Sequence, residues 1–464
     1  MKKDIGGVPY DQNLFKSIRS EFPALRGLEE RGIVLCDGAA GSQMHQSAIQ
    51  AMVESASRRN SNVGGSFSFS SDNLDAFTHA RRTMGAFLNC KEEEVVFGSS
   101  ATALNFHMSR SIGRTLGRGD NVVVTCLDHA ANVGPWETMA AEAGAELRRI
   151  KVRHQDCALD MDSVRSCIDS RTRLVACSAA SNLVGVIPQV QEVVSMARAH
   201  GALSYVDAVH LAPHALIDVR QLGCDFLVCS PYKFFGPHLA LLFLREGLAR
   251  SLPAYKIRPA TDDLPSFSNC QGSRWEMGTQ NYEGIAGAAA AVSYIASLSG
   301  RQREEKERSR GTQEPPSEGL SLLRASLRDS YSLISQHESL LSDRFLSGVR
   351  SIPAVKVHGP TAVTSHSSSM DQHGRTPTFA ISMTGADGQP IPPHVLCESL
   401  VEDGIWCSSG NFYALDLTET LGLEEGGGVV RVSFLHYNVL EDVDRVLRSL
   451  DKISKRRSAK ARTQ

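Results

Sequence analysis

Short apolar runs rich in Val, Leu, Ile and Phe recur along the chain, and amphipathic stretches with helical spacing lie between them. The runs at 33–35, 94–97, 121–126, 172–177, 203–206, 226–229 and 239–244 predict strands, being too short for helices, and the more polar 146–150 is a further strand in the same alternation. The stretches at 46–59, 75–89, 137–143, 160–168 and 189–200 predict helices, and 11–30 predicts an amphipathic helix with a Pro-containing turn at Phe22-Pro23. NSNVGGSFSFSSDN, at 60–73, reads as a polar loop rich in Gly and Ser. Strands and helices that alternate in this way predict an α/β sheet.

The pattern changes after residue 252. A loop-rich stretch reaches 284, and a helix is expected from there to about 299. The charge run RQREEKERSR and the following GTQEPPSEG predict a solvated, flexible insertion at 300–320. Beyond it come a helix, strands at 355–357, 378–383, 404–407 and 429–434, helices at 393–402 and 440–453, and a Ser/His-rich loop at 361–376. That is an α+β pattern, closed by a basic tail at 454–464. The expected division is a large domain at 36–296 and a small one made of 1–35 with 297–464. A length of 464 residues suits two cores better than one.

The chemistry concentrates in LSYVDAVHLAPHALIDVRQLGCDFLVCSPYKFFGPHLALLFLR, at 203–245. Asp207 and His210 follow one apolar run; Ser230, Tyr232 and Lys233 follow the next. Open α/β sheets bind ligands outside the carboxyl ends of their strands, so a carboxylate and a lysine are delivered to one crevice. Taken singly, Lys233 reads as a solvated loop lysine and Asp207 as a helix cap. Together they suit pyridoxal 5'-phosphate, which needs a lysine amine and an acidic partner for its pyridine nitrogen. Gly98-Ser99-Ser100-Ala101-Thr102 joins a strand to a helix N-terminus and can cradle a phosphate, or serve as an ordinary cap. His129 and Asn182 also stand just past strand ends.

Composition narrows the alternatives. Hydrophobic residues make up 42% and charged residues 22%, with a formal net charge of -2, so neither nucleic acid nor an anionic membrane is an expected partner. The run at 285–296 is short for a membrane span, and MKKDIGGVPYDQ lacks the apolar core of a signal peptide, which makes the cytoplasm the expected location. The 11 cysteines include no C-x-x-C and no zinc spacing, so free thiols and no metal site are expected.

LDHAANVGPW, SNLVGVIP, VDAVHLAPH, DVRQLGCDFLVCSPYKFFGPH and RWEMGT occur in one order along the chain. With them the sequence resembles the class V aminotransferases of fold type I, in the cysteine desulfurase and selenocysteine lyase branch. The resemblance implies a large domain with a mostly parallel seven-stranded sheet and a smaller α+β C-terminal domain. It makes Lys233 the Schiff-base lysine and acid/base, Asp207 the pyridinium partner, and His129 the imidazole stacked on the cofactor ring. Asn182 would bond the phenolic oxygen, and Ser100 and Ala101 would form the phosphate turn. Ser230 and Tyr232 match phosphate contacts, although the desulfurases usually carry His where Tyr232 stands; His210 replaces the usual Gln. Thr279 matches a phosphate contact supplied by the neighbouring subunit, which implies a homodimer. Arg431 matches the arginine that holds the carboxylate of an amino-acid substrate.

The branch usually places a persulfide-forming cysteine just before the last strand. Here the segment reads GIWCSSGNFYALDL, with Asn411, Phe412 and Tyr413 near that position and Cys407 the nearest thiol, expected on a strand. The leading expectation is therefore an enzyme of this family without that cysteine, acting as a C–S lyase, aminotransferase or epimerase. A desulfurase that uses Cys407 is the second expectation, and a silent binding protein the third.

Overall fold

The computed structural model describes residues 12–264, 274–308, 320–361 and 374–456. Its core is a seven-stranded sheet. In spatial order the strands are Val95–Gly98, Ala240–Leu244, Phe226–Cys229, Leu203–Asp207, Thr172–Ser178, Asn121–Thr125 and Glu146–Ile150. Ala240–Leu244 runs antiparallel to both neighbours, and every other pairing is parallel. Three of these strands are buried along their whole length and three more at all but one residue, because helices cover both faces and leave no solvent side to demand alternation.

A second sheet orders Val355–His358, Thr378–Thr384, Val429–Ser433 and Ser408–Gly410, all antiparallel. Phe345, Phe379, Phe434 and Val446 form its own apolar cluster with the helices Leu320–Val349 and Leu440–Ser454. The N-terminal chain also pairs with the C-terminal part. Val34–Leu35 pairs in parallel with Ile405–Trp406, and Asp37 bridges to Ser433.

Several expectations needed correction. Residues 11–30 form two helices, Gln12–Arg19 and Pro23–Glu30, because Pro23 suits a first turn and not a helix interior. The loop expected at 60–73 ends early: a helix spans Ser68–Leu88, and buried Ser70 and Asn73 bond the carbonyls of Asn62 and Ser61. The helix expected to stop near 299 runs Tyr282–Arg308, so the charge run continues it. The strand at 404–407 is two strands in different sheets, Ile405–Trp406 and Ser408–Gly410, with Cys407 at the junction. The rest of the insertion, most of the 361–376 loop and most of the basic tail lie outside the described residues.

Candidate active site

Lys233 closes a 3-10 turn, Pro231–Lys233, just past the strand Phe226–Cys229. Its side chain is buried, and Nζ donates to the carbonyls of Ala39 and, at 3.0 Å, Ala40. Burial, reinforced by the nearby Arg431 charge, lowers its pKa to about 7 against the pull of Asp207 and Asp37. The amine is thus poised between charged and neutral near neutral pH. The small-residue turn at 36–42 makes this approach possible. A Cβ on Gly41 would stand 3.2 Å from the Tyr232 ring, and Ser42 holds the Tyr232 carbonyl with both its N–H and its hydroxyl.

Asp207 ends the neighbouring strand and is buried, accepting from the Val209 N–H at 2.8 Å. Burial raises its pKa to about 6. No cation reaches hydrogen-bond distance of it among the described residues, so it awaits a positively charged or N–H partner. Asn182 gives Nδ2 to the Phe412 carbonyl at 2.9 Å, while its Oδ1 is buried without a partner. His129 caps a short turn, with Nδ1 accepting from the Ala131 N–H at 3.0 Å. Burial, Lys233 and Arg431 lower its pKa to about 4, so the ring is a neutral imidazole with its proton on Nε2.

One cavity is lined by Lys233, Asp207, His129, Asn182, His210, Ser230 and Tyr232, together with Ser178 and Ser100-Ala101-Thr102. Ser100 caps the helix Ala101–Gly113 and accepts from the Ala103 N–H at 3.1 Å; the first-turn N–H groups are anion donors. Tyr232 stacks flat on His238, with ring centroids 5.0 Å apart. His210 is held by the hydroxyls of Thr376 and Thr378, each 3.1 Å from Nε2. Gly185 permits this contact: it has φ +74, and a Cβ there would meet the Thr378 carbonyl at 2.5 Å. Thr279 is exposed and does not line the cavity of its own chain.

Arg431, on the strand Val429–Ser433, is buried beside the cavity. Nη2 pairs with Asp37 Oδ1 at 3.1 Å, and Nη1 donates to the Asn182 carbonyl at 3.0 Å. Nε is buried without a partner, and the Phe412 ring lies 3.9 Å from the guanidinium. The sequence pattern gave no warning of this collar. Asp37 lies in a turn notable only for small residues, and Phe412 was conspicuous only as a substitute for cysteine. A second hidden network supports His129. Asp128 is fully buried, accepts from Thr125, Ser178 and Asn132, and has its pKa raised by burial to about 7. Ser and Thr at strand ends are its only trace in the sequence.

The segment over the cavity is anchored on both sides. The Phe412 carbonyl accepts from Asn182, and the Tyr413 carbonyl accepts from the Ala130 N–H at 2.7 Å. Phe412 and Tyr413 have φ values of +54 and +58. Consecutive left-handed residues without glycine cost on the order of 1 kcal/mol each and persist where the surroundings over-determine them. Asn411 supplies part of that hold, accepting from the Tyr413 N–H and donating to Glu424.

A buried lysine of lowered pKa, a buried carboxylate at the next strand end and an anion-binding helix start fit pyridoxal phosphate. The orphaned Asn182 Oδ1 and the uncompensated Asp207 are the polar gaps that a bound heteroaromatic ring would fill. The protein is a pyridoxal-phosphate-dependent enzyme with the fold type I architecture. It belongs to the class-V aminotransferase family, whose model matches residues 34–314.

Its relatives are similar over almost their full lengths. An aminotransferase-like protein, FGM3, of Gibberella zeae is 28% identical, covering 94% of this chain and 98% of the relative. A probable cysteine desulfurase 2 of Mycobacterium leprae is 29% identical, covering 94% and 96%. Among solved structures, the apo cysteine desulfurase of Thermococcus onnurineus NA1 superposes with a TM-score of 0.77 at 24% identity, covering 98% of this chain and 99% of that one.

Proposed function

We propose that the chain acts on an amino acid at its Cα, with Lys233 as the attachment and proton-transfer residue and without a persulfide-forming cysteine. The observation that carries this reading is the delivery of Lys233 and Asp207 from adjacent strands into one cavity beside Arg431. Bound there, pyridoxal phosphate supplies an electron sink for the pair left when a bond to Cα breaks. Asp207 holds the pyridine nitrogen proton, and Ser100, Ala101, Ser230 and Tyr232 hold the phosphate. Asn182 and His210 would help hold the cofactor ring, and neutral His129 would pack against it. Arg431 holds the substrate carboxylate through its partnerless Nε and the edge now shared with Asp37. Lys233, with a pKa near 7, both takes and returns the Cα proton.

The outcome at Cα is C–S cleavage, transamination or epimerisation. Among the described residues no thiol lines the cavity, which favours a reaction without a protein-bound sulfur. The direct test incubates the loaded protein with single amino acids and assays pyruvate, alanine, sulfide, keto acids and the other enantiomer. Sulfide release from cysteine with stoichiometric alanine, lost in Cys407→Ala, would replace this reading with desulfuration. That second reading draws support from the relatives named cysteine desulfurase.

We further infer a homodimer in which Thr279 reaches the other subunit's phosphate. Thr279 is exposed in its own chain, and its neighbour Met277 is 63% exposed. Light scattering of the loaded protein should give twice the chain mass; a monomer would refute it. Among the described residues no helix is long and apolar enough to cross a membrane.

A further inference from the structure

Cys397 lies on the helix Pro393–Glu402, and Cys407 at the junction of the strands Ile405–Trp406 and Ser408–Gly410. Their sulfurs are 3.9 Å apart, and Cys397 Sγ–H donates to the Cys407 carbonyl at 3.2 Å. Among the described residues no other two cysteine sulfurs are in hydrogen-bond contact. Both side chains are half-buried, unlike fully enclosed Cys177, Cys224 and Cys229. When Cys397 loses its proton, its sulfur accepts from the Cys407 S–H and from the Ser409 hydroxyl, which holds its pKa below the ordinary thiol value. The same contact, with burial, keeps the proton on Cys407. One sulfur is thus the better nucleophile and the other stands beside it.

We propose that Cys397 and Cys407 are a peroxide-sensitive pair that closes into a reversible disulfide. The Cys397 thiolate attacks one peroxide oxygen; the O–O bond breaks, and the departing hydroxide takes up the proton that Cys397 released, leaving a sulfenic acid and water. Cys407 sulfur then attacks the Cys397 sulfur. The S–S bond forms, the S–O bond breaks, and the departing hydroxide leaves as water with the Cys407 proton. Two thiols lose two electrons, and one hydrogen peroxide becomes two waters.

The pair adjoins the site through one residue. Ser408 follows Cys407 and donates to Asp37 at 2.6 Å, and Asp37 is the ion-pair partner of Arg431. A bond formed at Cys407 therefore lies next to a residue that holds Asp37. The disulfide itself depends on no assumption about the reaction catalysed.

The sequence supplies a clean assay. No Lys or Arg lies between Arg375 and Arg431, so one tryptic fragment, 376–431, carries Cys397 and Cys407 and no other cysteine. The full-length, cofactor-loaded protein is treated with hydrogen peroxide, alkylated with iodoacetamide and digested. The expected result is a fragment lighter by two hydrogens that takes no alkyl group, with both alkylations restored by dithiothreitol. Cys397→Ser should leave Cys407 alkylated after the same treatment. A wild-type fragment still doubly alkylated while other cysteines oxidise would overturn the proposal. So would an oxygen added to Cys397 with Cys407 still alkylated. The wild-type measurement decides alone if the variant fails to fold.

Discussion

The strand-end crevice and the segment that roofs it are built differently. Asp207 ends one strand and Lys233 follows the next by one turn; both strands are almost wholly buried, paired on both edges and fixed by the sheet itself. The roof, from Cys407 to Ala414, sits on a three-residue edge strand and holds its shape largely through side chains, Asn182, Asn411 and the Phe412 contact with Arg431, with a backbone bond from Ala130 beside them. A rigid sheet suits electron withdrawal and proton transfer, which every reaction of this cofactor shares. A side-chain-held edge suits the choice among reactions, because single substitutions there alter the pocket without disturbing the core.

Breaking the crevice should cost the most. Lys233→Ala should lower amino-acid turnover by at least about 10⁴-fold and leave the protein without covalently held cofactor, read by product assay and absorbance. Asp207→Asn should keep the cofactor but slow turnover by about 10²–10³-fold, with KM little changed. Arg431→Lys lies between the two regions. It keeps the charge but loses the fork, so KM for the amino acid should rise about 10–100-fold with a smaller change in kcat. Roof changes should be milder. Phe412→Gly relieves a left-handed φ while removing the ring over Arg431, two effects of about 1 kcal/mol with opposite sign for stability. The melting temperature should stay close to wild type while KM and the ratio of products shift by less than about tenfold. A roof variant that cost as much as Lys233→Ala would collapse the distinction.

A pH effect sharpens the same contrast. Burial lowers folded Lys233 to about 7, whereas the unfolded lysine keeps its ordinary, higher value. Between those two values the unfolded chain binds the extra proton, so this group makes stability rise with pH, with its full penalty present below about pH 7. Cofactor-free Lys233→Met should therefore melt above cofactor-free wild type at about pH 6, by on the order of 5 °C, with the gap narrowing toward about pH 9. Calorimetry of the two proteins reads it. No such pH dependence is expected for Phe412→Gly.

The crevice was largely legible in the sequence, and the roof was not. Buried parallel strands announce themselves as continuous apolar runs, and the residue after each run is a fixed distance from the crevice. Asp207, His210, Ser230, Tyr232 and Lys233 could therefore be named together, and all five line one cavity. The roof depends on contacts between residues far apart in sequence, such as Asp37 with Arg431 and Asn182 with Phe412. No local pattern encodes those. The strand expected at 404–407 failed for a related reason: its residues pair with two different sheets, and alternation cannot reveal a change of partner. The helix at Ser68–Leu88 begins in a Ser-rich run that propensity assigns to a loop, and tertiary hydrogen bonds from Ser70 and Asn73 decide otherwise.

The most direct test of the central claim is to find which lysine carries the cofactor. Protein loaded with pyridoxal phosphate is treated with borohydride, digested and sequenced by mass spectrometry. The added mass should lie on Lys233 alone and be absent from Lys233→Ala treated in parallel. Addition at another lysine, or equal addition to the variant, would contradict the assignment of this crevice as the active site.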